Sequence, residues 1–407
     1  MKRVALVTQN LSSDGGVKTV AAFLRDIIKS SGRYNAKVLS LAASSSDSNS
    51  CRLFSLGTWF SGVSVTEHDW PPDKYFHVGA NFSEFEFQRY KPRRILSELL
   101  ANCDVIQVVS GSPALGLAVS GLGKPVVLQV ATRAAVERRM QELQGRGFAA
   151  AWRRSMTKIT DKLDVCAIRQ ADAVMVENPW MMEYCQGVAN GYGTQIKYAP
   201  PGIDTGVFSP SPSGRVLSEN SPYILSVGRM QDPRKNIGLL LEAYRLLKHR
   251  MQDAPRLVLA GATQPPDEFW KRVKDYGLNT EIEFVHGPTF PELIRLYQEA
   301  TCFALPSDEE GFGMVVIEAM GCAVPVVSTR SGGPDGIIDD GVDGYLVPLG
   351  DAQILADRLQ RLCSEPDLNV RMGDLARKKV ENKYDLGVAG ARFLETYDEL
   401  LFKYETP

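Results

Sequence analysis

Two carboxylates, Glu310 and Glu318, stand eight positions apart around the turn-forming segment Gly311-Phe312-Gly313. An apolar run, Cys302-Phe303-Ala304-Leu305, leads into them, and Pro325-Val326-Val327 follows. If residues 314–320 are helical, a rise of about 1.5 Å per residue puts the two carboxylates about 12 Å apart along the axis. Carboxylates so spaced could hold a sugar hydroxyl and a ribose of one nucleotide-sugar. The competing reading is an acidic helix N-terminus, where the macrodipole favours Asp and Glu. Upstream, Gly228-Arg229-Met230-Gln231-Asp232-Pro233-Arg234-Lys235-Asn236 separates a strand-like run from a helical pattern. Fixed cations at the C-terminal end of a strand, beside a helix start, suit a diphosphate. Cations in a loop are otherwise simply solvated.

Near the start of the chain, Asp14-Gly15-Gly16 follows another apolar run and precedes a helical pattern beginning near Lys18. Paired glycines let a backbone approach a ligand, and a helix start presents free N–H groups. The pattern is not Gly-x-Gly-x-x-Gly, and on its own it is also an ordinary turn.

These residues need elements to hold them. Apolar runs alternate with helix-length segments throughout. In the first half the runs are 4–7, 37–41, 105–109, 126–130 and 173–176. In the second they are 223–227, 257–260, 282–285, 302–305, 324–327 and 345–347. Strands apolar on both faces imply a parallel sheet covered by helices. Pro200-Pro201-Gly202 and the Ser/Pro-rich stretch 209–222 read as a linker. Residues 43–50 read as a polar loop and 76–92, rich in Phe, as a surface loop. The expected fold is α/β, two doubly wound Rossmann-like domains facing each other across a deep cleft. The expected divisions are 1–203, 204–385, and a final amphipathic helix at 386–407 that packs on another element.

Composition narrows the class. A chain of 407 residues favours two domains. Its 44% hydrophobic content is that of a soluble globular protein, and its net charge of −2 gives no pull toward nucleic acid. Seven scattered cysteines without a Cys-x-x-Cys pair argue for a reducing compartment and against structural zinc. Met1-Lys2-Arg3 and the short apolar run after it read as a first strand rather than a leader.

The spacing of Gly-Arg, Lys-Asn and the Glu pair resembles the family-4 retaining glycosyltransferases of the GT-B fold, whose motif is Glu, seven residues, Glu. The resemblance covers nearly all of the second domain and, more thinly, the first. It implies that Arg229 and Lys235 bind the donor pyrophosphate of a UDP- or GDP-sugar, with Arg234 a neighbour. It implies that Glu310 and the backbone of Gly311, Phe312, Gly313 and Met314 grip the sugar, and that Glu318 accepts the ribose hydroxyls. Gly15 and Gly16 correspond to the loop facing the sugar-phosphate. His286, Gly287 and Pro288 correspond to the base-holding loop, largely through main chain. Pro201-Gly202-Ile203-Asp204 with Phe208, Ser331–Ile338 and Asp343–Pro348 correspond to framework segments. The final helix would cross back to the first domain.

One departure stands out. The family's His beside the reacting sugar is absent after Val130, where Ala131-Thr132-Arg133 stands instead. Thr132 and Arg133 are the candidates for that acceptor-side space. Asp308-Glu309-Glu310 resembles an acidic metal site, but Arg229 and Lys235 would make an ion redundant, so no metal and no cofactor are expected.

The implied activity is transfer of a sugar to a hydroxyl on a carbohydrate or lipid-linked acceptor. The alternatives are a non-catalytic nucleotide-sugar-binding protein and a nucleotide-sugar epimerase of the same fold. Residues 133–169 carry nine Lys or Arg against four acids, a net of +5. A peripheral contact with an anionic membrane is one expectation for this segment, and an ordinary solvated helix face is the other. The expected location is cytoplasmic, on the inner face of the membrane if lipid is bound.

Overall fold

A computed structural model of the chain describes residues 1–9, 11–12, 15–211 and 222–405. The polypeptide forms two compact units, residues 1–201 joined by the chain from Ala389 onward, and residues 202–388. Among the described residues no helix is long and apolar enough to cross a membrane.

The first unit contains β1 (Lys2–Gln9), β2 (Tyr34–Leu41), β3 (Val65–Trp70), β4 (Asp73–Val78), β5 (Val105–Ser110), β6 (Val126–Val130), β7 (Ala173–Val176) and β8 (Gln195–Tyr198). Its helices are α1 (Gly16–Ser30), α2 (Gly57–Ser61), α3 (Glu86–Arg89), α4 (Arg94–Leu100), α5 (Ala134–Glu137), α6 (Arg139–Gln144), α7 (Phe148–Gln170) and α8 (Pro179–Ala189). The sheet runs β3-β4-β2-β1-β5-β6-β7-β8, parallel except for the β3–β4 hairpin. The order reverses between β1 and β5, so the loop leaving β1 opens beside the loop leaving β5.

The second unit contains β9 (Tyr223–Val227), β10 (Arg256–Gly261), β11 (Ile282–His286), β12 (Cys302–Leu305), β13 (Val326–Thr329) and β14 (Gly344–Val347). Its helices are α9 (Ile237–Arg250), α10 (Asp267–Asp275), α11 (Phe290–Glu299), α12 (Met314–Gly321), α13 (Ala352–Ser364) and α14 (Pro366–Lys383), and α15 (Leu386–Glu405) starts within it. All six strands are parallel, in the order β11-β10-β9-β12-β13-β14. Neighbouring strand residues point to opposite faces. Ile224, Leu257 and Ala304 therefore pack with α9 and α13, while Leu225, Val258 and Phe303 pack with α11, α12 and α14. This is the Rossmann strand order, with its switch point between β9 and β12.

The central strands lie where their apolar runs predict. Three strands, β3, β4 and β8, have no such run. They lie at or near the sheet margins and keep polar, half-exposed residues. The surface loop expected at 76–92 is corrected by the structure. Its first residues complete β4, and Val78, Ala80 and Tyr90 are buried. Strand β13 begins two residues later than its apolar run, because Ala323 takes a positive φ and Pro325 cannot donate to a ladder. The linker reading also shortens. Ile203 pairs with Asp385, and Phe208 joins the core beside Tyr297. Residues 212–221 of that stretch lie outside the described residues. The cysteines are free, five of them buried.

In the first unit, the α15 residues Phe393 and Tyr397 stand against Phe23 and Tyr34. The Tyr397 hydroxyl donates to Gln107 Oε1 at 2.8 Å. A Cβ at Gly390 would stand 2.1 Å from Ile27, so glycine permits this close approach to α1.

Candidate functional site

In open parallel sheets ligands bind beyond the C-terminal strand ends at the switch point. Here the loops at that point are Gly228–Asn236 after β9 and Pro306–Gly313 after β12. The first loop is short because Pro233-Arg234-Lys235 forms a single 3-10 turn, started by Asp232 accepting from the Arg234 N–H at 3.1 Å. Asn236 follows at φ 43° and caps α9 through Leu239 N–H. Met230 is buried and anchors the loop.

The two loops are tied together. Asn236 Nδ2 donates to Asp308 Oδ1 at 2.8 Å, and the Asp308 N–H donates to the Arg234 carbonyl at 2.8 Å. Lys235 Nζ then meets Glu310 Oε1 at 2.6 Å, and Ser307 Oγ donates to the same oxygen at 2.6 Å. Both charged side chains are largely buried. An ammonium has three N–H donors, so Lys235 can keep Glu310 and still reach an anion. Arg229 is half-exposed and leans on Asp232 at 3.0 Å. Burial pushes the Asp232 carboxyl up. Hydrogen bonds from Arg234 and the charges of Arg234 and Arg229 outweigh that, holding it below its ordinary value.

Glu310 is also fixed through its backbone. Its N–H donates to the Ser331 carbonyl, and its carbonyl accepts from Gly333. A Cβ at Gly333 would stand 2.1 Å from the Phe312 carbonyl oxygen, so only glycine allows this approach. Gly313, at φ 99°, turns the chain into α12, whose first turn has no acidic residue and no side-chain cap. The acidic-helix-start reading of Glu310 therefore fails. Only Glu318 rides on α12, so the helical rise does not measure the separation of the pair. The side chain of Phe312 is in the core beside Tyr384, leaving its main chain alone to face a ligand.

Glu318 is half-buried and accepts from the Tyr297 hydroxyl at 2.7 Å. Burial raises its carboxyl above the ordinary value, and the Tyr297 bond opposes this only in part. The neighbouring carboxylates of the run Asp308-Glu309-Glu310 diverge. Asp308 serves Asn236, Glu309 faces Arg234 at 3.8 Å, and Glu310 serves Lys235.

Beside this cluster the backbones of Gly228, Gly261 and Gly287 stack at successive strand ends. Gly228 N–H donates to Ala260, and Gly287 N–H donates to Gly261. His286 ends β11 with an exposed side chain, and Pro288 precedes the capping box of α11.

In the first unit Gly15 is the N-cap of α1 and Gly16 its first residue, with open space where either Cβ would stand. Asp14 lies outside the described residues. Thr132 is buried, its N–H bonded to the Gly111 carbonyl. The Arg133 guanidinium clamps Asp161 through two bonds, at 2.8 and 2.6 Å, and stacks over Tyr184. Sequence reasoning missed Ser307, Tyr297 and the Asn236–Asp308 tie. Only the Asp-Pro start of the 3-10 turn carried a local signal.

Comparison with known proteins bears on this site. Residues 212–379 match the family model described as glycosyl transferases group 1. The fold is GT-B. The chain aligns with sucrose-phosphate synthase from Thermosynechococcus elongatus at TM-score 0.75 and 20% identity, covering 99% of this chain and 100% of that one. It aligns with HepE from Anabaena, solved with UDP and glucose, at TM-score 0.70 and 17% identity, covering 98% and 100%. Among curated relatives, a GDP-mannose-dependent alpha-(1-6)-phosphatidylinositol monomannoside mannosyltransferase of Mycolicibacterium smegmatis is 29% identical over 220 residues, 51% of this chain and 57% of that protein. A D-inositol 3-phosphate glycosyltransferase of Corynebacterium kroppenstedtii is 34% identical over 191 residues, 43% of this chain and 42% of that protein. The chain thus spans about half the length of the curated relatives it matches.

Proposed function

We propose that this protein is a retaining, metal-independent glycosyltransferase. It moves a sugar from an NDP-sugar to a hydroxyl acceptor in polysaccharide, glycoconjugate or glycolipid biosynthesis. The observation that carries the reading is the Lys235–Glu310–Ser307 cluster at the β9/β12 switch point, beside the uncapped start of α12.

As the C1–O bond of the donor breaks, negative charge gathers on the leaving diphosphate. Lys235 and Arg229 supply fixed positive charge, and the first N–H groups of α12 add a dipole of the same sense. Glu310, held by Ser307 and Lys235, accepts from sugar hydroxyls and steadies the positive charge that develops on the ring. Glu318, steadied by Tyr297, accepts from the ribose. The main chain of 286–288, at the end of β11, holds the base. The acceptor attacks the face the diphosphate leaves, and the departing phosphate oxygen takes the acceptor proton, so the anomeric configuration is kept.

The test is a thermal-shift panel of UDP-, GDP- and ADP-sugars, followed by incubation of the stabilising sugar with candidate acceptors. One donor should raise the melting temperature, since a ligand of the folded state stabilises it. Transfer, or donor hydrolysis above background, should survive EDTA. Stabilisation by no nucleotide-sugar, with no turnover, would remove the reading. Loss of turnover in EDTA, restored by a divalent ion, would remove its metal-independent part.

A further inference from the structure

An uncovered aromatic surface lies in the first unit, on elements the sugar-donor reading leaves unused. Helix α2 buries none of its residues. Around it Phe60 is 95% exposed, Phe54 85% and Leu56 70%, and at the start of α7 Phe148 is 86% exposed. Next to Phe60 stands Trp59, and one turn from Phe148 stands Trp152, and ring contacts link these two tryptophans. The Trp59 ring meets Phe82 at 5.9 Å, Phe82 is one turn from Phe85, and Phe85 meets Trp152 at 6.0 Å. One aromatic strip thus joins α2 to α7. Apolar strips of this kind on a water-facing surface mark something that covers them.

Charge indicates what covers it. Residues 52–64 contain no Asp or Glu. In α7 the buried residues include Ala150, Met156, Thr157, Thr160, Asp164, Ala167 and Ile168. At 100° per residue the opposite face presents Phe148, Trp152, Lys158, Ile159 and Lys162, all exposed and none acidic. The acids nearby turn elsewhere. Asp164 accepts from the Ala114 and Ala134 N–H groups, Asp161 is held by Arg133, and Glu86 is held by Arg138. Among the described residues Arg146, Arg153, Lys158 and Lys162 make no ion pair.

We propose that this strip docks the first unit on an anionic phospholipid surface. Phe54, Leu56, Phe60 and Phe148 enter the headgroup–acyl boundary, while Arg146, Lys158 and Lys162 meet lipid phosphates. Aromatic side chains beside unpaired cations suit that interface, where apolar burial and attraction to anionic lipid add. The proposal goes beyond the donor site. Vesicle binding is read without nucleotide-sugar, so its failure leaves the sugar-transfer reading intact.

The test sediments the full chain with vesicles of phosphatidylcholine, alone or mixed with phosphatidylglycerol. Binding should require phosphatidylglycerol and fall at high salt. A Phe54→Ser/Phe60→Ser variant and a Lys158→Glu/Lys162→Glu variant should each bind about tenfold or more weakly. Tryptophan quenching by lipids brominated on the acyl chain should report insertion of the unaltered protein, independent of how the variants fold. Absence of binding at low salt, absence of quenching, or folded variants that bind like the parent would overturn the proposal. So would a concentration-dependent dimer abolished by both variants, which would assign the strip to a second copy of the chain.

Discussion

Lys235 and Arg229 differ in setting, and their variants should differ accordingly. Lys235 is largely buried and locked to Glu310, whereas Arg229 is half-exposed. Lys235→Ala should lower kcat/KM by about 10²–10³-fold, as for other lost donors to developing charge. Arg229→Ala should cost less, because water screens its charge. Steady-state kinetics with the donor found by thermal shift would show this, and near-parental values for both would remove their assigned role. Tyr297→Phe tests the other carboxylate. Removing that hydroxyl takes away the one bond opposing the upward push of burial on Glu318. The donor KM should rise, kcat should change little, and the acid limb of the donor-binding pH profile should move to higher pH. An unchanged pH profile would contradict the coupling.

At the scale of elements, the site depends on loops held by other loops. Glu310 sits between Ser331 and Gly333, and Gly333 nearly touches the Phe312 carbonyl. Gly333→Ala must move the Gly311–Gly313 turn, since backbone cannot yield as a flexible side chain can. The expected result is a loss of more than about 2 kcal/mol of stability, together with loss of the donor-induced melting shift. Denaturant unfolding with and without donor measures both. An unshifted midpoint would mean that this approach is looser than the geometry requires.

At the scale of the whole molecule, stability should carry a pH signature from the first unit. Glu177 is 5% exposed and meets Gln129 Nε2 at 3.1 Å. Burial raises its carboxyl from 4.5 to about 7, with the Gln129 bond opposing. The folded chain therefore keeps a proton that the unfolded chain gives up between those values. Its stabilising contribution is complete below pH 4.5 and is lost as pH rises toward 7. Glu177→Gln should flatten this part of the stability–pH curve, so that the variant gains on the parent at pH 8 relative to pH 5. Parallel curves from urea unfolding would show that Glu177 does not titrate there.

The sequence by itself determined the class of fold and the motif residues. Central parallel strands must be apolar on both faces, and Gly-Arg, Lys-Asn and the Glu pair are local patterns. It also placed the cations and Glu310 on loops after strands, because strand–helix alternation leaves few other positions. Marginal strands β3, β4 and β8 were illegible, since a half-exposed strand keeps polar residues and no long apolar run. Tertiary structure decided which side chains meet. Lys235 and Glu310, 75 residues apart, touch because β9 and β12 are neighbours at the switch point. Tyr297 reaches Glu318 because α11 and α12 cover the same sheet face. Phe312, inside the segment that the resemblance assigns to sugar binding, turns its ring into the core. Partners across a fold carry no spacing rule in the chain, and only packing brings them together.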